Sequence, residues 1–132
     1  MLSRAALLAC LAAPAGAQGV PSGQPLALWE IRWEAVPGAV EGQGAAQMVI
    51  RLIAPRIGGA EPLSFEAALS DMDWLCETHG MPLAALPYAQ GDAVVVNLMD
   101  RPVPRGATDP EAVQYFQAYR VSDEGCEPEA TP

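Results

Sequence analysis

Hydrophobic spacing along the chain is most regular between Ser64 and Gly80, SFEAALSDMDWLCETHG. At about 100° per residue, Phe65, Ala68, Leu69, Met72, Leu75, Cys76 and His79 share one arc, and Glu66, Ser70, Asp73, Glu77 and Thr78 share the opposite one. The pattern predicts a surface helix with one buried face. Ser64 is the expected N-cap, since its hydroxyl can accept from a free amide of the first turn, and Gly80 the expected left-handed residue past the end. Elsewhere the period changes to two. Leu26–Glu34 puts Ala27, Trp29, Ile31 and Trp33 on one face, and Ala46–Ala54 sets Met48, Ile50 and Leu52 against Val49, Arg51 and Ile53. Ala93–Met99 is apolar on both faces apart from Asn97, the signature of a central strand covered on both sides or by a helix and loops.

Segments without a period separate these elements. Gln18–Pro25 reads as a loose lead-in, Ala35–Ala45 as a glycine-rich loop, Met81–Gly91 as a packed loop, and Arg101–Thr108 as a further loop. Asp109-Pro110-Glu111 has the composition of a helix start, with a capping acid, a proline at the first position and an acid against the dipole. It predicts a helix of about two turns, ahead of a final strand over Ala118–Val121. The order strand, strand, helix, strand, short helix, strand implies an α+β fold. The expected architecture is a small antiparallel-rich sheet of about four strands, with one main amphipathic helix and one short helix packed on it. No internal repeat and no second domain is visible.

The first seventeen residues change the picture of where the protein works. Arg4, the apolar run Ala5–Ala13, Pro14 and Ala15-Gly16-Ala17 form a secretory leader with a small-x-small cleavage site, so the mature chain is expected to begin at Gln18 in the periplasm or outside the cell. The run is shorter than the roughly 20 residues that span a bilayer, and Cys10 precedes the end of the apolar run, which argues against a lipoprotein site. The domain plan is a signal peptide over 1–17, one α+β domain over 18–126, and a frayed acidic tail over 127–132. Cleavage removes Cys10 and leaves Cys76 and Cys126. An even count in an oxidising compartment reads as one disulfide. It would close a loop of about fifty residues, worth on the order of 4 kcal/mol in the chain-entropy model.

Charge narrows the partners. The chain carries 16 acidic residues against 7 basic ones, all arginine, and loss of Arg4 leaves six against sixteen, a net charge of 6 − 16 = −10. Nucleic acid requires a basic stripe that is missing, and an anionic membrane surface is disfavoured for the same reason, so no membrane association is expected after cleavage. The balance fits a solubilising acidic surface, or a basic protein partner.

Few residues offer chemistry. His79, the single histidine, stands three residues beyond Cys76 on nearly the same face, a spacing open to a metal or a Cys–His pair. A tight metal site wants three or four ligands, and no second Cys/His cluster exists, so His79 is a weak metal candidate and otherwise a histidine at a helix C-terminus. Asp71 and Asp73, two apart, point in different directions; Asp73 and Glu77 share a face and, with Glu66, form an acidic stripe. Trp74 falls in the middle of the polar arc. Either the loop from Ala35 or the acidic tail covers it, or it anchors a partner together with Asp73 and Glu77. Trp29 and Trp33 read as core. No phosphate loop, GxSxG, HExxH, CxxC or EF-hand loop is present, no cofactor is implied, and no catalytic residue is assigned.

The segments IAPRIGG, SDMDWLC and VVVNLMDRPVPRGATDPEAVQYFQAYRV, with a late cysteine, resemble a family of small exported bacterial proteins of unknown function. The resemblance spans most of the mature chain and brings no site residues with it. Some members bear the label acetolactate synthase. That chemistry would need several hundred residues and a GDG motif to hold thiamine diphosphate, and Gly91-Asp92-Ala93 departs from the motif at its third position. Two functional readings remain: a non-catalytic interaction module using Trp74 and the acidic face, or a binding protein for a small ligand or metal centred on His79. A small hydrolase without recognisable motifs is a third.

Overall fold

The structure is a computed structural model that describes residues 19–38, 46–87 and 89–130. The leader over 1–17 and residues 39–45 of the loop from Ala35 lie outside them. Among the described residues, no helix is long and apolar enough to cross a membrane.

Five strands form one sheet in chain order: β1 (Ala27–Ala35), β2 (Ala46–Ile53), β3 (Ala93–Met99), β4 (Gln114–Ser122) and β5 (Gly125–Pro128). The pairs β1·β2, β3·β4 and β4·β5 are antiparallel, and β2·β3 is parallel. The sheet is therefore mixed and has a fifth strand beyond the expected four. A parallel pair requires a crossover, and helix α1 (Phe65–Leu75) with its continuation supplies it. The fold is α+β with one main helix.

Helix α1 lies on the sheet face that presents Met48, Ile50 and Leu52 of β2, Val94, Val96 and Leu98 of β3, and Tyr119 of β4. Ala68, Met72, Leu75 and Cys76 fill the space from the helix side. Each of these side chains removes apolar area from water worth about 1.5–3 kcal/mol when large, and this face forms the main core. Ser64 caps α1 through its hydroxyl, which accepts from the Ala67 amide at 3.2 Å. On the other face Val49, Arg51, Asn97 and Met99 are also buried, roofed by the segment that carries Val103 and Arg105.

Several expectations are corrected. Gly80 does not terminate the helix in a left-handed turn. It is right-handed at φ −65°, inside a π-turn (Cys76–Gly80) that runs straight into helix α2 (Met81–Ala84), within the segment expected to be loop. Its role is proximity, because a Cβ there would sit 3.2 Å from Val94 Cγ1 and 3.4 Å from Cys76 Sγ. No helix follows Asp109. Its carboxylate accepts from the Glu111 amide at 2.9 Å, but Val113 and Asp100 then exchange backbone and side-chain bonds and β4 starts at Gln114. Tyr115, Tyr119 and Val121 recur with period two against the core, and that long-range pairing outweighs a local start signal of one turn.

Three more differences are physical consequences of pairing and docking. The C-terminal acidic stretch is not frayed from Glu127: β5 includes Glu127 and Pro128, and the Glu129 amide donates to the Ala118 carbonyl at 2.9 Å. A register shift between Leu28 and Glu30 displaces Trp29, which is 52 % exposed, while Trp33 packs on the core. Phe65 sits at the first position of α1, half exposed and edge-on to Tyr115 with ring centroids 5.1 Å apart.

Candidate functional site

The N-terminal segment Gly19–Leu26, expected to be loose, is instead fastened across the C-terminal half of α1. Asp71 is wholly buried there and accepts from the Ser22 amide at 2.9 Å, the Ser22 hydroxyl at 2.5 Å and Gln24 Nε2 at 2.6 Å. Three donors around one desolvated carboxylate satisfy it as burial demands. A turn closed by the Gly23 amide on the Val20 carbonyl, at 2.8 Å, drops Val20 into the core. The segment and the helix end leave between them a groove of about 480 Å³, open on one side and lined by Val20, Gln24, Leu26, Leu52, Trp74 and His79 among others.

Trp74 and His79 come together in this groove. Their rings meet edge to face at 5.6 Å and 76°. The π-turn makes this possible: by widening one turn, it brings His79 alongside the indole of the residue five positions earlier. Trp74 is half-buried and lines the groove together with the N-terminal segment, while residues 39–45 of the Ala35 loop lie outside the described residues. Behind the wall of the groove, the buried Oε1 of Gln24 has no hydrogen-bond partner among the described residues. Orphaned buried acceptors are rare.

The other residues singled out from the sequence are placed elsewhere. Asp73 accepts from the Tyr119 hydroxyl at 2.6 Å. Burial first, and then that carboxylate, raise the Tyr119 hydroxyl above its ordinary value of 10.0, so it stays a donor. Asp73 is thus engaged by its own chain, and of the three candidate contact residues only Trp74 lines the groove. Glu77 is exposed, beside Gly125 at the start of β5. Cys76 and Cys126 are joined, with Cα atoms 6.2 Å apart, and this bond ties the π-turn to β5. Among the described residues no group of three or more His, Cys, Asp or Glu side chains could hold a metal ion, and His79 has no salt bridge to a carboxylate.

Sequence reasoning weighed Asp71 only beside Asp73, and it did not single out Ser22 or Gln24. The signal was faint but present: Asp71 lies only about 40° outside the apolar arc of the helix, next to Leu75. A short run rich in glycine and proline gave no reason to expect Ser22 and Gln24 as its partners. The buried polar cluster on the opposite sheet face is structural. Arg51 donates to Glu30 at 2.8 Å, to Asn97 Oδ1 at 3.0 Å and to the Val103 carbonyl, which pins the roof to the sheet.

The family model for a family of unknown function (DUF6497) matches residues 5–131, and the chain belongs to that family. No curated protein and no solved structure matches the chain.

Proposed function

For this member of the family, we propose an exported, non-catalytic interaction module of the periplasm, which receives an apolar side chain of a partner protein in the groove between its N-terminal segment and Trp74. One observation carries the reading: an aromatic pair, Trp74 with His79, walls an open groove. Aromatic side chains with a polar tip are frequent anchors of protein interfaces. An opening along one side suits a side chain offered by a larger body better than a small molecule, which pockets of this size normally enclose. The leader pattern supports export, and the acidic balance of the chain favours a basic partner. A small ligand is the second reading, favoured by the volume of the groove, about 480 Å³.

Carbodiimide coupling of the protein in the intact envelope tests the proposal. The chain has no lysine, so its carboxylates couple to a partner's lysines and its only own amine is the chain terminus. A discrete adduct that disappears in Trp74→Ala, with folding retained by circular dichroism, is the expected result. An adduct unaffected by Trp74→Ala, or none at all, would sink the groove as a protein-binding site.

A further inference from the structure

Cleavage after the small-x-small site Ala15-Gly16-Ala17, part of the export reading above, leaves Gln18 as the first residue of the mature chain. A glutamine then carries the free α-amine. That amine is singular, because the chain has no lysine and its terminus is the only primary amine it possesses. The residues that follow decide what the chain end adjoins. Gly19 is exposed and has no side chain of its own, and a Cβ built on it would meet nothing within 4 Å among the described residues, so the fold leaves the chain open there. Val20 is 6 % exposed and packs in the core, and Gly19 and Val20 both line the groove beside Trp74. The mature terminus is therefore the sequence neighbour of the groove wall.

We propose that Gln18 of the exported chain closes on itself to a pyroglutamyl lactam, a modification that rests on the export reading. The α-nitrogen attacks Cδ of its own side-chain amide, the new N–Cδ bond completes a five-membered ring, and the Cδ–Nε2 bond breaks. The α-nitrogen gives up one proton and Nε2 takes it to leave as ammonia, so no oxidant, reductant or co-substrate is consumed. An α-amine is a weaker base than a lysine amine and is partly unprotonated near neutral pH, which supplies the nucleophile. The product has no terminal positive charge, and the mature protein then has no primary amine at all. Aminopeptidases grip a free α-amine, and removal of Gly19 and Val20 would strip a side chain from the core and part of one wall from the groove. The lactam blocks that trimming. It also sets an uncharged group, in place of an ammonium, one residue from the groove lining.

Intact mass of the chain purified from the periplasm, combined with labelling by an amine-directed ester in denaturant, provides the test. A mass that begins at Gln18 less one ammonia, with no label taken up, is the expected result. Pyroglutamyl peptidase should then expose the Gly19 amine and restore one label per chain. Gln18→Asn is the matched variant: its side-chain amide is one methylene shorter and would have to close a four-membered ring, so it should keep its ammonia and take one label. A mass that begins at Gln18 with its ammonia and one label overturns the lactam and leaves export standing. Ammonia lost from a chain that still takes the label, or a start at another residue beyond 17, does the same. A mass that still contains residues 1–17 overturns export and the lactam together.

Discussion

Replacing Asp71 by alanine removes the one acceptor that fastens Ser22 and Gln24 to helix α1. Hydrogen bonds to a charged group contribute about 1.5–3 kcal/mol each, and Asp71 accepts three. Their simple sum overstates the loss, because the segment is near the chain's beginning and can peel away, returning Ser22 and Gln24 to water. Detachment then forfeits the burial of Val20, about 1.5–3 kcal/mol, together with whatever the three bonds contribute beyond their hydrated alternatives. Asp71→Ala is therefore expected to cost about 3 kcal/mol, which for a domain of this size lowers the melting point by about 15 °C. The assay is thermal unfolding followed by circular dichroism, combined with hydrogen exchange of residues 19–26. Exchange in that segment should rise far more than in β2 and β3, since the rest of the core is intact. A loss below about 1 kcal/mol, or a segment whose exchange does not change, would refute the claim that Asp71 holds the wall of the groove.

Three further outcomes follow from the same geometry. Cys76→Ser should destabilise the protein by about 4 kcal/mol, since the bond closes a loop of sequence separation 50, and denaturant titration with and without reductant should give the wild type the same loss. Gly80→Val should cost at least about 2 kcal/mol in the same titration, because the helix cannot approach fully buried Val94 with side-chain atoms at a position where a bare Cβ already meets it at 3.2 Å. Hydrogen bonds from Arg51 to Glu30 and from Arg105 to Glu34 hold both carboxyls below their ordinary 4.5. The unfolded chain then takes up protons more readily. The stabilisation is complete above about pH 5 and fades as pH falls through the folded-state values below 4.5, an acid limb that Glu34→Gln and added salt should both make shallower.

What the sequence reveals follows from how local each determinant is. The main helix was legible because Phe65 to Cys76 repeats with the helical period and Ser64 caps it, β2 because Met48, Ile50 and Leu52 alternate with Val49, Arg51 and Ile53, and β3 because it is apolar on both faces apart from Asn97. The parallel pairing of β2 with β3 was not legible, since register and direction are set by tertiary contacts that leave no periodic trace. The helix expected after Asp109 failed for a related reason: its start signal is real at the level of one turn, yet Tyr115, Tyr119 and Val121 gain more by joining the sheet. Gly80 illustrates an ambiguity of residue type, as the same glycine that could end a helix can also let two elements touch. At the candidate site, Trp74 stood out as an aromatic in a polar arc, and its neighbour His79 as the single histidine. Asp71 did not, because a buried acid is recognisable only once its donors, 47 and 49 residues away, are known.

The central claim is that a partner protein is bound at the groove beside Trp74. A photo-reactive phenylalanine analogue placed at His79, and in a second variant at exposed Glu66 on the opposite end of α1, tests it in the living cell without depending on surface carboxylates. A single adduct band from position 79 after irradiation, lost when Asp71→Ala frees the groove wall and missing from position 66, is the predicted result. No adduct from position 79, or the same adducts from both positions, would contradict the account.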